Sequence, residues 1–244
     1  MKLSIVIPAH NEEDCIEGTI TELVNTLSSE SISHEIVVVN DASTDKTREK
    51  VTHLIQSYPS VRLIDNVPPH GFGFAVRMGL DAYSGDAVAL YMADASDSPA
   101  DVVKFFREME KTGADCVFGS RFTQGGKVID YPAFKLILNR MANLFIQILF
   151  GLKYNDTTNA FKMYRRKAID GIKPFLSHHF NLTVELPLKA IIRGFSYTVV
   201  PNTWTNRATG VSKLKIKEMG SRYLFIVLYC FIERLFSRGD YRLK

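Results

Sequence analysis

Hydrophobic positions along the 244-residue chain follow two regimes. Up to about residue 121, short apolar runs of strand type alternate with stretches of helical period. The runs are Leu3–Ile7, Glu35–Val39, Val61–Ile64, Ala87–Met92 and Cys116–Phe118. Between the first two, residues Asn11 to Leu27 carry Ile16, Ile20, Leu23, Val24 and Leu27, which is helical spacing. Ser43-Thr44-Asp45 offers cap chemistry for a helix running to about Ser57, and further helices are predicted over Ala75–Ala82 and Asp101–Lys111. Ser98-Pro99 gives the last of these a clear start, a cap residue followed by a first-turn proline. Repeated β-α units build a mostly parallel sheet covered by helices, and such sheets bind ligands beyond the carboxyl ends of their strands. The polar segments there are 8–12, 40–45, 68–73, 94–97 and 119–121.

After Arg121 the chain turns helical and more apolar. Leu136–Phe150 carries Leu136, Ile137, Met141, Leu144, Phe145, Ile148 and Leu149, an amphipathic helix with a wide apolar face. Tyr223–Ile232 is an uncharged run of ten, short of the roughly 20 residues that span a bilayer. No spanning helix is therefore expected, and the run reads either as a buried helix or as one lying on a membrane surface. Charge sharpens the second reading. From Arg207 onward there are nine Lys/Arg against three acids, whereas the rest holds 21 against 23. A basic end on a slightly acidic body suits an anionic surface or ligand, although a solvated charged tail accounts for it equally well. The expected division is a catalytic domain over residues 1–215 and a membrane-proximal helix over 216–244.

Composition is that of a globular protein, 46% hydrophobic and 23% charged, with no signal peptide expected at the N-terminus. Cys15, Cys116 and Cys230 are odd in number and far apart, which fits a reducing, cytosolic compartment rather than a disulfide framework or zinc ribbon.

Several strand-end residues carry candidate chemistry. Asp94 and Asp97 in ADASDSP are placed to hold Mg²⁺ or Mn²⁺, hard ions that take oxygen ligands and bridge to phosphate. A plain helix cap by Asp97 or Ser98 is the competing reading. Asp41 in NDASTD suits a hydrogen bond to a nucleoside, while Asp45 reads as a helix start. Pro8, His10 and Glu12 lie beside it in PAHNEE. The glycines of HGFGFAVRMG lack the third glycine of a dinucleotide fingerprint, since position 76 is Val76, and they read as close-packing sites instead. No P-loop, HExxH or GxSxG pattern is present.

PAHNEE, NDASTD, HGFGFAVRMG, ADASDSP and GSRF, in that order, resemble an inverting family 2 glycosyltransferase of the GT-A, Rossmann-like α/β type. DTTNAFKMYRR, FNLTVELPLKA and RATGVSKL are similar to the corresponding segments of polyprenyl-phosphate sugar synthases of the dolichyl-phosphate mannose synthase type. The resemblance covers roughly residues 3–216. It implies a nucleotide-sugar donor, a polyprenyl phosphate acceptor, a divalent metal, and amphipathic C-terminal helices at the cytoplasmic face of a membrane, with a homodimer or membrane-anchored partner as further possibilities and no nucleic acid. By matching position it implies that Pro8, His10, Glu12, Val39 and Asp41 cradle the nucleoside. Asp94 and Asp97 organise metal and diphosphate; Arg121, Arg207 and Lys213 contact phosphates; Asp156 and Glu185 line the sugar and acceptor side.

The chain departs from the family pattern at Ala93-Asp94-Ala95, where an Asp-Ala-Asp triplet is usual, and Asp97 is the replacement ligand this reading favours. His10 stands for the usual tyrosine and Asn40 for the usual acid. A phosphate acceptor is already anionic, its second pKa lying near about 6, so it needs no strong base. An acceptor hydroxyl, as in O-antigen or capsule assembly, would need one, and Glu185 or Asp156 is then the candidate. A non-catalytic, membrane-recruited nucleotide-sugar-binding module is the third reading.

Overall fold

The computed structural model describes residues 1–206, 216–237 and 239–241. Its first half runs β1 (Leu3–Ala9), α1 (Ile16–Ser29), β2 (His34–Asn40), α2 (Thr47–Ser57), β3 (Val61–Asp65), α3 (Phe72–Ala82), β4 (Ala87–Leu90), α4 (Pro99–Thr112) and β5 (Cys116–Ser120). The second half holds β6 (Lys127–Ile129), α5 (Ala133–Phe150), β7 (Lys162–Arg165), α6 (Arg166–Gly171), α7 (Leu182–Ile192), β8 (Tyr197–Pro201), β9 (Thr203–Thr205) and α8 (Ile216–Phe236).

Seven strands form one sheet in the order β3-β2-β1-β4-β7-β5-β8, and β6 and β9 pair separately. Every pairing in the large sheet is parallel except those of β7, which runs against both β4 and β5. All seven residues of β1 are buried, as befits a strand with helices on both faces. One face packs Ile16, Leu23, Val51, Phe105 and their neighbours from α1, α2 and α4. The other packs Val76, Leu80, Leu182 and Leu186 from α3 and α7. A third cluster joins Ile146 and Phe150 of α5, Val184 and Leu188 of α7, and Ile226, Val227 and Cys230 of α8. The GT-A-type α/β sheet anticipated from the hydrophobic pattern is present, and α8 supplies the apolar C-terminal helix.

Local departures have identifiable causes. The first helix begins at Ile16 rather than Asn11, because residues 11–13 bind the loop after β2. Asn11 Oδ1 accepts from Thr44 N, Glu12 N donates to Thr47 Oγ1, and Glu13 N donates to Asp45 Oδ2. Asp45 also accepts from Thr47 N, so its role is structural. Two glycines act by size. A Cβ on Gly79 would stand 2.3 Å from Val6 Cγ1, and one on Gly73 would stand 2.4 Å from the carbonyl carbon of His178. Both therefore let α3 approach its neighbours closely, as expected for this segment.

Glu35 ties three segments together at the edge away from the cleft. Its carboxylate accepts from Ser4 Oγ, Ser84 N and Arg62 Nη1. Burial alone would raise its pKa, but those donors outweigh burial and hold it at about 2. A carboxyl depressed from its ordinary 4.5 stabilises the fold above that value and loses the contribution as pH falls toward 2. Glu35→Gln should therefore lower unfolding free energy at pH 7 by up to about 3 kcal/mol. Urea titrations should show the deficit shrinking between pH 4.5 and 2; a deficit independent of pH would contradict this account.

Candidate active site

Parallel register brings the ends of β1, β2 and β4 to one rim, because Ala9 pairs with Asn40 and Val6 pairs with both Val37 and Leu90. Three non-glycine residues on the loops leaving that rim have positive φ: Asn11 at 51°, Ala42 at 52° and Ala95 at 57°. Alanine gains nothing locally from this conformation, which costs roughly 1–2 kcal/mol, so the surrounding contacts enforce it.

At the β2 end, Asp41 organises the loop before α3. Its Oδ1 accepts from Asn66 Nδ2 at 2.8 Å and contacts His70 Nδ1 at 3.2 Å, while Oδ2 accepts from Gly71 N at 2.9 Å. The Asp41 carbonyl lies 2.6 Å from His10 Nδ1. Asp41 thus orients two imidazoles, and Pro8, His10, Glu12, Asp41 and His70 all line the cleft.

At the β4 end, Asp94 and Asp97 are both buried and both line the same cleft. Asp94 Oδ1 accepts from Ser96 N at 3.1 Å. Asp97 is only 4% exposed, and its Oδ1 has no hydrogen-bond partner. Burial first, and the neighbouring Asp94 second, push its pKa up to about 7, against the opposing pull of Arg121. The backbone of this loop is fixed by Tyr91 Oη donating to the Asp97 carbonyl, by a bridge between Asp97 and Trp204, and by Thr205 N donating to Ser96 O.

Arg121 follows β5 and is also buried. Its Nε and Nη2 meet the two oxygens of Asp156 at 2.8 and 2.7 Å, and its backbone N donates to the same carboxylate at 2.9 Å. Burial works against its charge, but Asp156 more than offsets that and raises its pKa. It stays charged and fixed on the cleft wall.

Among the described residues, no group of three or more His, Cys, Asp and Glu is placed to hold a metal. The pair Asp94 and Asp97 nevertheless fits Mg²⁺ or Mn²⁺. Magnesium is commonly held by one or two carboxylates together with substrate phosphates. The unpartnered, buried Asp97 oxygen is what such a site requires, since a buried charge without a partner is costly.

The cleft encloses about 980 Å³ and changes character along its length. Its polar end is the strand rim. Aromatic pairs also line the cleft: Phe72 stacks on Phe180 at 4.2 Å and Tyr131 packs on Trp204 at 4.8 Å. Its far end lies between α5 and α8, lined by Leu138, Phe145, Ile146, Tyr223, Leu224 and Val227. Beyond it both helices expose large apolar side chains, including Phe134, Ile137, Met141 and Ile148 of α5 and Phe225, Ile232 and Phe236 of α8. Of the described residues, α5 is the one helix long and apolar enough to cross a membrane, at 18 residues and a mean hydropathy of 1.3. Sequence reading anticipated no such helix, and α5 meets the description by length and composition alone. The hydrophobic pattern began the element at Leu136, three residues after its start at Ala133; on its polar side Asn139 and Arg140 hydrogen-bond Thr158 Oγ1 and the Asn155 carbonyl.

Three residues expected to contact ligand do not lie on the cleft wall. Val39 is fully buried in the core beneath α3. Asp156 is fully buried behind Arg121 and acts through it. Glu185 is fully buried in α7, where its oxygens accept from Leu176 N, Ser177 N and Lys189 Nζ. Each is a support rather than a wall because its polar or apolar valence is already satisfied by protein. Arg207 and Lys213 lie outside the described residues. Conversely, Tyr131, Trp204, Phe72, Phe180 and His70 line the cleft without having been singled out as contacts.

Residues 4–172 match glycosyl transferase family 2, and the chain belongs to that family. It is 32% identical over 220 residues to the dolichol-phosphate mannosyltransferase of Pyrococcus furiosus, covering 89% of this chain and 60% of that protein. It is 30% identical over 216 residues to the polyprenol monophosphomannose synthase of Mycolicibacterium smegmatis, covering 86% of this chain and 80% of that one. In fold it is similar to glucosyl-3-phosphoglycerate synthase from Mycobacterium tuberculosis in complex with phosphoglyceric acid. There the TM-score is 0.71 at 20% identity, with 96% of this chain and 79% of the other covered.

Proposed function

We propose that this family 2 glycosyltransferase moves a sugar from a GDP- or UDP-sugar to the phosphate of a polyprenyl phosphate, inverting the anomeric carbon. One observation carries the reading: a single cleft joins a strand rim bearing Asp94, Asp97 and Arg121 to an apolar end between α5 and α8. A nucleotide sugar suits the first and a long isoprenoid tail the second. The names of the P. furiosus and M. smegmatis relatives agree with this pairing.

In this reading Pro8, His10, Glu12 and Asp41 receive the nucleoside, and Asp94 and Asp97 hold Mg²⁺ or Mn²⁺. The ion would neutralise charge on the departing nucleoside diphosphate. A structure of the M. tuberculosis synthase contains Mn²⁺ and UDP, which is consistent with metal use in this fold. An acceptor phosphate oxygen attacks the anomeric carbon, a new C–O bond forms on the opposite face, and the bond to the diphosphate oxygen breaks with its electron pair. Arg121, with Arg207 and Lys213 assigned by family resemblance, balances phosphate charge. No base is required of the protein, which agrees with Glu185 and Asp156 being engaged elsewhere.

The exposed apolar faces of α5 and α8 would rest on the membrane that holds the acceptor, as a peripheral, cytoplasm-facing attachment. A body with polar sides and a wide apolar face is suited to lie in the interface plane. Purified protein with a panel of GDP- and UDP-sugars and a short polyprenyl phosphate in detergent should yield a metal-dependent, lipid-linked sugar. No product with any donor would refute the proposal. Independently, the protein should sediment with anionic vesicles, and Ile137→Glu with Ile148→Glu should leave most of it in the supernatant. Equal binding of the double variant would contradict attachment through α5.

A further inference from the structure

Lys162 is the first residue of β7, opposite Leu90 of β4 and Phe118 of β5. The side chain is 1% exposed, and Asp156, whose charge favours its ammonium form, is ion-paired with Arg121. The three donors of Lys162 Nζ go to backbone carbonyls instead: Thr157 at 3.0 Å, Asn159, and Thr183 at 3.1 Å. An ammonium has three N–H groups, so its donor capacity is filled.

Two of those carbonyls, of Asn159 and Thr183, belong to residues that line the cleft, and the third, of Thr157, precedes one. Thr158, Asn159 and Ala160 line it from the segment before β7, and Thr183 lines it from the first turn of α7. The 157–160 segment is in turn fastened to α5, because Thr158 Oγ1 accepts from Asn139 and Asn143 and Thr158 N donates to Asn143 Oδ1. One buried cation therefore sits where the sheet rim, α7 and the segment holding α5 converge. A hydrophobic side chain would pack a core with less desolvation cost, since burying charge is expensive unless it is matched. Burial does act on this amine, pulling its pKa down to about 7.

We propose that Lys162 is a positioning residue for transfer, setting the acceptor half of the cleft against the donor half through these three carbonyls. Resting on the function proposed above, the idea deepens it: the acceptor phosphate must meet the anomeric carbon within a few tenths of an ångström, and a misplacement of about 1 Å can cost 10²-fold.

The test compares wild type with Lys162→Met, measuring acceptor KM, kcat, and donor nucleotide affinity by calorimetry, each corrected for folded fraction by circular dichroism. The expected result is a loss in kcat/KM for polyprenyl phosphate of roughly 10²-fold, shared between a lower kcat and a higher acceptor KM, with donor affinity within about twofold. A variant whose activity falls only in proportion to its folded fraction, with acceptor KM unchanged, overturns the proposal. Because Lys162→Met removes a buried charge and can unfold the chain, Asn143→Ala cuts the same segment from its α5 side. It should raise acceptor KM in the same direction and leave donor affinity alone. An unchanged acceptor KM there, with Lys162→Met unfolded, also overturns it. An inactive wild type would instead count against the function itself, so the two failures are distinguishable.

Discussion

A buried carboxylate with one oxygen left without a hydrogen bond governs this site. Asp97 sits at the end of β4 with its Oδ1 unsatisfied, beside Asp94 and with Asp101 and Asp156 contributing further negative charge. Arg121, the cation on the same wall, is already matched by Asp156 on two edges and a backbone amide. Among the described residues the rim therefore carries an excess of negative charge. The loop cannot relax away from it, since Tyr91, Trp204 and Thr205 each fix its backbone. Ala95 is held in a left-handed conformation between the two acids.

Under the proposed function, the rest of the cleft answers a second constraint, the need to bring a water-soluble donor and a lipid to one point. The parallel sheet delivers polar loops to its rim by register alone. The helical second half delivers apolar surface: α7 is buried almost throughout and serves as a spine on which α5 and α8 lean. Their outer faces carry Ile148 at 73% exposure and Phe236 at 75%, values that water alone does not favour for such side chains over so wide an area. The aromatic pairs Phe72–Phe180 and Tyr131–Trp204 line the same cleft.

Much of this was legible in the chain. The βαβ half was readable because buried parallel strands are continuous apolar runs and because Ser98-Pro99 marks a helix start. Asp94, Asp97, Arg121, His10, Glu12 and Pro8 were placed on the cleft by the rule that ligands gather at strand ends. β7 was harder to see, since its four residues begin with Lys162 and end with Arg165, and neither charge betrays a strand whose polar ends are solvated by carbonyls. Family resemblance, matched position by position, assigned Glu185 and Asp156 to the sugar and acceptor side; that Leu176, Ser177 and Lys189 bind the oxygens of the one, and Arg121 those of the other, depends on tertiary contacts that no local pattern shows. Trp204 and Tyr131 belong to segments without a periodic pattern, and their meeting depends on the β6–β9 pairing.

In the proposed function, Asp97 and Asp94 form an incomplete cation site finished by the donor's diphosphate. Titrating Mn²⁺ into the protein by electron paramagnetic resonance, with and without GDP or UDP, tests it directly. The account predicts weak binding alone, tightening of about tenfold or more when a nucleoside diphosphate is present, and loss of that tightening in Asp97→Ala. Unaltered Mn²⁺ binding in Asp97→Ala, with the nucleotide effect intact, would contradict it.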